Sequence, residues 1–227
     1  MIDDPPLLHV SRDFKRPPAE IVAGFAGAQT GHVVDAMSGS GALHSSIKPL
    51  VEGPTLVGVA LTSHSAPADN LGLFASLSLI EPGDVLVASA SGHTEAAITG
   101  DLLMGMARNL GAAGFVTDGA VRDKAGLIAV GLPVYSAALT PNSPVRNGPG
   151  TMGLPIIVGG VAVRSGDIVV ADADGVVIVP QEKAAAVLAA IDKVRAAEAA
   201  LEAKVKAGLG VPDFISAIVD SDRTVEV

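Results

Sequence analysis

The chain has 227 residues, 49% of them hydrophobic, with 24 acids against 15 bases and a formal net charge of −9. That length and apolar share suit one large domain, and the acidic balance, with no basic run, disfavours nucleic acid or an anionic membrane as partner. Aromatics are 3%, Trp and Cys are absent, and so base-stacking surfaces, disulfides, thiolate metal sites and cysteine nucleophiles are set aside.

Residues 1–18 carry four prolines and mixed charge and read as an extended N-terminal arm. The start, Met1-Ile2-Asp3-Asp4-Pro5-Pro6, has neither the basic nor the apolar region of a signal peptide, which points to a cytoplasmic protein. From Ala19 the pattern turns helical through Ile21, Val22 and Phe25, with a second short piece around His32–Met37. Ser38-Gly39-Ser40-Gly41 is a loop that lacks the glycine spacing of a dinucleotide fingerprint and the Lys of a P-loop. Leu56–Leu61 predicts a buried strand, Asp69–Leu79 a helix and Asp84–Ala88 a strand after the turn Glu81-Pro82-Gly83. Thr99–Leu110 predicts a helix stopped by Gly111, and Gly114–Thr117 a short buried strand.

The uncharged stretch from Ala125 to Val145 contains Pro133, Pro141 and Pro144, so it cannot satisfy its backbone as a membrane helix. Short strands are predicted at 133–136, 155–158, 161–163, 168–171 and 176–180, separated by Gly and Asp turns. The last long element, 182–207, is a helix ended by Gly208. Its apolar seam runs Val187, Ile191, Val194, Leu201, Val205, and the position missing from the seam is Glu198. A carboxylate on an apolar stripe either pairs at a surface edge or points into a site. Helices and strands alternate first and strands cluster later, which predicts a layered α/β sandwich with a mixed sheet. The domain spans 19–212, followed by a tail at 213–227.

Two segments carry chemistry. Gly100-Asp101-Leu102-Leu103 opens a helix whose first amides, those of Leu102 and Leu103, suit a carboxylate or phosphate, although Asp101 alone would serve as a dipole-favoured acid. Thr117-Asp118-Gly119-Ala120-Val121-Arg122-Asp123 follows a buried strand, where open α/β sheets bind ligands. There Asp123 could hold a hard cation largely through water, and Arg122 could clamp a carboxylate or enolate oxygen; the plain alternative is a surface ion pair on a turn. Asp167, Asp172 and Asp174 read as turn acids. The five histidines show no zinc-helix spacing, and no G-x-S-x-G elbow is present.

Taken together, G-D-L-L, ten residues of helix, G-A-A-G-F-V-T-D-G-A-V-R-D, P-A-D-N-L, E-P-G-D-V-L-V and G-G-V-A-V-R-S-G-D-I-V-V-A-D-A-D-G-V-V-I-V-P resemble the RraA-like family over about residues 20–210. The family includes 4-hydroxy-4-methyl-2-oxoglutarate and 4-carboxy-4-hydroxy-2-oxoadipate aldolases and the regulator of ribonuclease activity A. The resemblance implies a sandwich like the swivelling phosphohistidine domains, assembled as a homotrimer or homohexamer. It implies a class II aldolase acting on small 2-oxo dicarboxylic or tricarboxylic acids, using Mg2+ or Mn2+ to stabilise a pyruvate enolate and also decarboxylating oxaloacetate. By the same resemblance Asp123 is the metal-holding acid, Arg122 the pyruvate-binding arginine, and Gly100, Leu102 and Leu103 the seat of the pyruvate carboxylate. Asp101 then lies near the metal's water shell, and Glu198 is an acid lent by a neighbouring subunit. A water held by Asp101 or Glu198 is the candidate base. Specificity is expected from the Ser38–His44 loop, His93 and the 141–149 loop. The alternative is a non-catalytic regulator that binds a ribonuclease or helicase.

Overall fold

The computed structural model describes residues 6–51, 53 and 55–227. It divides into a large unit, Met1–Ile191, and a small one, Asp192–Val227. The elements of the large unit run β1 (Leu8–Val10), α1 (Ala19–Gly24), α2 (Thr30–Ala36), β2 (Lys48–Pro49), β3 (Leu56–Ser65), α3 (Leu71–Ser76), β4 (Asp84–Ser89), β5 (Ala97–Thr99), α4 (Asp101–Asn109), β6 (Gly114–Thr117), β7 (Ala120–Val121), α5 (Lys124–Val130), β8 (Val134–Ser136), β9 (Ala138–Leu139), β10 (Gly150–Met152), β11 (Ile156–Val158), β12 (Val161–Val163), β13 (Ile168–Ala171) and β14 (Val176–Val179). Helix α6 (Ala184–Lys206) begins in the large unit, and α7 (Asp213–Val219) lies wholly in the small one.

A nine-stranded mixed sheet has the order β1-β10-β3-β4-β6-β8-β2, with β13 and β14 joined to the first half of β3. Strands β3, β4, β6 and β8 are parallel, and their crossovers carry α3, α4 and α5, as parallel pairing requires. Central β4 is buried along its whole length, and its residues divide by pleat. Val85 and Val87 face a core shared with Leu43, Ile156 and Val158, while Leu86 and Ala88 face the core of α4 and α5 with Leu103, Met104 and Leu127. A third core joins β13 and β14 to α1, α2 and the start of α6 through Phe25, Val177 and Ile191. The expected layered α/β sandwich with a mixed sheet is therefore the fold observed.

Several elements differ from the sequence reading. The arm residues Leu8–Val10 form an edge strand parallel to β10. Asp69 and Asn70 precede the helix instead of opening it, because Asp69 Oδ1 accepts the Leu71 amide at 2.7 Å. Thr99 ends a strand, and Ala120–Val121, expected in a tight turn, forms a short strand. The turn acids do hold turns: Asp167 accepts the amides of Arg164 and Gln181, and Asp172 accepts Thr30 and Asp174.

The arm is also anchored by charge. Arg16 meets Asp84 in a forked pair, Nε to Oδ1 at 3.0 Å and Nη2 to Oδ2 at 2.7 Å, and reaches Glu81 and the Leu79 carbonyl as well. Asp84 opens β4 and is 1% exposed. Removing the arginine would leave a buried carboxylate without its cation, so Arg16→Met should lower the unfolding free energy by about 3 kcal/mol in urea titrations. A loss no larger than that of an ordinary surface substitution would show that the pair does not anchor the arm.

In the small unit, α6 continues as an exposed helix. Val187 and Ile191 are buried within the large unit, but further along the seam Leu201 and Val205 are 50% and 55% exposed. Glu198 is exposed on this stretch. No helix among the described residues is long and apolar enough to cross a membrane.

Candidate functional site

Three short strands, β5, β7 and β9, form a second, wholly parallel sheet. Parallel strands deliver their following loops to one edge. Past β5 come Gly100 and Asp101, past β7 Arg122 and Asp123, and past β9 the segment holding Ser143 and Arg146. The edge is kept in register by Arg122 N–H donating to Thr99 O at 3.0 Å and Thr140 N–H donating to Val121 O at 3.1 Å. Asn142 tightens it, accepting the Ala97 amide and donating its side-chain amide to Glu95 O at 2.7 Å.

Around this edge lies a cavity of about 160 Å³. It is lined by Gly100, Asp101, Leu102, Leu103, Arg122 and Asp123 together with Asn70, Phe74, Ser143 and Arg146. The candidate residues of the two chemical segments thus line one cavity, which Asp118 does not. Asp118 serves the main sheet instead: its Oδ1 accepts the Ala90 amide at 2.7 Å. Burial pushes the Asp118 carboxyl above the usual carboxylate range, against the opposing pull of the Ala90 and Gly92 amides.

Arg122 and Asp123 are joined by Nε–Oδ2 contact at 3.1 Å, and both side chains are partly exposed. Arg122 Nη1 also donates to Ser143 Oγ. Asp123 stands at the N-cap of α5 in the left-handed region (φ 59, ψ 46), yet its side chain makes no capping hydrogen bond. An Asp in that conformation carries strain, and the usual return, a bond to its own helix, is not taken. Its carboxylate instead turns over Gly100, where any side chain would collide with Asp123 Oδ2. Gly100 has an extended backbone, so it is the approach of Arg122 and Asp123 that requires glycine there.

Asp101 is the first residue of α4, and its Oδ1 accepts the Leu102 amide at 2.8 Å. Its other oxygen lies against Gly126 of α5, a position that no Cβ could share. The helix ladder starts at Met104 N–H, which donates to Gly100 O at 3.2 Å. The anion expected at this helix end is thus present as the chain's own Asp101, and an incoming carboxylate would compete with it for the Leu102 amide. Leu102 itself is 78% exposed.

Two of the expected specificity segments lie away from this cavity. Ser38, Ser40 and Gly41 line a separate cleft with Val161 and Lys183, and the His93 amide closes a turn to Ala90 O. The 141–149 loop does reach it, through Ser143 and Arg146. Asn70 was not foreseen as a lining residue. The P-A-D-N string before a helix was its signal, but it carried no indication of which way the side chain would face.

Among the described residues, no group of three or more His, Asp or Glu side chains is placed to hold an ion. The carboxylates of Asp123 and Asp101 are the anionic donors among the residues that line the cavity. A hard cation that keeps most of its water fits such a sparse oxygen set, and a histidine-bound transition metal does not.

An α/β sandwich with two arginines, two carboxylates and a helix N-terminus around one cavity has the make-up of a small-anion site. The sequence pattern of the RraA-like family, described as Aldolase/RraA, matches residues 30–178, and the chain belongs to that family. A protein of Halalkalibacterium halodurans named "Putative 4-hydroxy-4-methyl-2-oxoglutarate aldolase" is 39% identical over 183 residues, 81% of this chain and 87% of that one. Streptomyces coelicolor RraAS2, described as an unusual member of the RNase ES inhibitor RraA protein family, superposes with TM-score 0.72 at 28% identity over 83% of this chain and all of that one. The RNA-processing inhibitor RraA from Thermus thermophilis gives TM-score 0.62 at 30% identity, over 67% and 93% of the two chains.

Replacing Asp123 by glycine would release the backbone strain and leave the Asp123 O to Leu127 N–H bond available. Asp123→Gly should therefore raise stability by about 1 kcal/mol in thermal unfolding, a gain that the wild-type chain forgoes to keep a carboxylate there. A lower melting temperature would mean that Asp123 is structural.

Proposed function

We propose that this protein is a divalent-metal-dependent carbon–carbon lyase that cleaves acids of the 4-hydroxy-4-methyl-2-oxoglutarate type to pyruvate and also decarboxylates oxaloacetate. The observation that carries the reading is the strained Asp123, paired with Arg122 over the start of α4 in an open cavity, with no capping bond to its own helix. The relative named as an aldolase supports the same class.

Asp123 would hold magnesium or manganese, with Asp101 holding its water, and the ion would supply electrophilic stabilisation of negative charge on the 2-oxo group. The substrate's C1 carboxylate would take the first turn of α4, displacing Asp101 Oδ1 from the Leu102 amide and meeting Leu103 as well. Arg122 would donate to the 2-oxo oxygen, and its bond to Ser143 fixes the guanidinium for that purpose. In the retro-aldol direction the C4 hydroxyl loses its proton to a base, the C3–C4 bond breaks, and the electron pair passes into the pyruvate enolate as C4 becomes a carbonyl. Protonation at C3 completes pyruvate. With oxaloacetate the same enolate forms as carbon dioxide leaves, so one charge-stabilising site serves both reactions. A water oriented by Asp101 is the proposed base on this chain, and Glu198 of a neighbouring subunit is its proposed partner.

Assembly as a homotrimer or homohexamer is supported by the exposed apolar line Leu102, Met106, Leu110 along α4, 78%, 46% and 44% exposed. The RraA relatives support a second reading, a regulator that binds an RNA-processing enzyme. Two acids around a cavity have no use in that reading, and this favours the lyase.

Purified protein stripped of metal should release no pyruvate from oxaloacetate or 4-hydroxy-4-methyl-2-oxoglutarate above the blank, and magnesium or manganese should restore release. Asp123→Ala should abolish it, and Arg122→Lys should reduce kcat by about a hundredfold or more, as loss of a preorganised donor does. No metal-dependent release from either acid would defeat the lyase and leave the regulator.

A further inference from the structure

The lining of the same cavity includes a second arginine, Arg146. Its backbone is fixed on both sides. Val145 N–H donates to Ala68 O at 2.8 Å, and Asn70 N–H donates to Val145 O at 3.0 Å. The amides of Asn147 and Gly148 both donate to Asp69 Oδ2, at 2.6 and 3.0 Å. Asp69 is 4% exposed, so a buried carboxylate holds the loop in place from beneath. The guanidinium lies over the Phe74 ring with its carbon 4.7 Å from the centroid.

A second arginine in the chain also stacks on a ring: Arg16 lies 4.9 Å from the Phe14 centroid. That arginine is committed to Asp84 and Glu81. Arg122 is likewise committed, to Asp123 and Ser143. Among the described carboxylates, none forms an ion pair with Arg146. Among the described residues it is a positioned cation without a carboxylate partner. Stacking leaves the edge of a guanidinium, with its donors, open to a planar oxyanion.

The same lining holds an open acceptor. Asn70 is 4% exposed, and its Nδ2 donates to Ile98 O at 3.1 Å. That bond fixes the amide orientation, because the nitrogen must face the carbonyl. Asn70 Oδ1 is then left buried with no partner among the described residues, a state that costs free energy unless a ligand or water donates to it.

We propose that Arg146 is the specificity-determining residue of this cavity and receives the distal carboxylate of a 2-oxo diacid, with Asn70 as the adjoining polar contact. The assignment rests on the reading above that the Arg122 and α4 side takes the 2-oxo acid end. To that reading it adds the residue that selects the second carboxylate, which 4-hydroxy-4-methyl-2-oxoglutarate and oxaloacetate both carry.

Binding tests this without turnover. 2-Oxoglutarate has the diacid skeleton but no C4 hydroxyl, so it cannot undergo the cleavage; pyruvate has no second carboxylate. Calorimetric titration in magnesium buffer should show wild-type protein binding 2-oxoglutarate more tightly than pyruvate. Arg146→Gln should weaken 2-oxoglutarate by about tenfold to a hundredfold, the effect of losing a charge-assisted hydrogen bond, and pyruvate by less than about twofold. Arg146→Lys should restore part of the preference, since it keeps the charge but not the fork. Equal binding of the two acids by the wild type, no measurable binding of 2-oxoglutarate, or equal weakening of both in Arg146→Gln would each overturn the proposal. A protein with the predicted preference that releases no pyruvate from either 4-hydroxy-4-methyl-2-oxoglutarate or oxaloacetate would keep Arg146 as the diacid anchor and lose the lyase reading.

Discussion

Parallel pairing of β5, β7 and β9 is the constraint on which the site depends. Each strand is only two or three residues long, too short to be stable alone. Each is held by the larger structure: Ile98, Val121 and neighbouring side chains sit in the core of α4 and α5, and the ladder continues beyond the strands through Arg122 to Thr99 and Thr140 to Val121. Because the strands run the same way, three loops far apart in sequence open at one edge. The chemistry is confined to those loops, and the nine-stranded sheet behind them supplies stiffness.

Charge is arranged against the global field. The protein is acidic, yet its cavity gathers Arg122, Arg146 and the first turn of α4. Local cations and amides act at hydrogen-bond range, where they outweigh distant acids that solvent screens. The two acids in the same lining are not redundant with that arrangement. Asp123 neutralises Arg122, and Asp101 occupies the helix end. Both are thereby held in place by contacts that an anionic ligand or a cation could exchange for its own.

Glycine does the close-range work. Gly100 and Gly126 are where a Cβ would displace Asp123 and Asp101 respectively. Gly100 stands in the G-D-L-L string and Gly126 lies three residues beyond Asp123, so the pattern that marks the family also records how tightly the two carboxylates pack on the backbone.

The sequence by itself determined the layered α/β class, most strands of the core and the two segments that meet in the cavity. Periodicity and turn residues are local signals, and Gly114–Thr117 or Val161–Val163 needed nothing else. It did not determine that residues 8–10 pair with β10, that Ala120–Val121 is a strand or that Thr99 closes one, because pairs and triplets of residues take strand geometry only from partners distant in the chain. Likewise Asp118 and Asp123 share one short motif, from which the sequence singled out Asp123, and the fold shows where each goes, the first to the Ala90 turn and the second to the cavity. Arg146 and Asn70 were the least legible of all. Their placement depends on Asp69 gripping a loop nearly eighty residues away, a contact that local sequence does not encode.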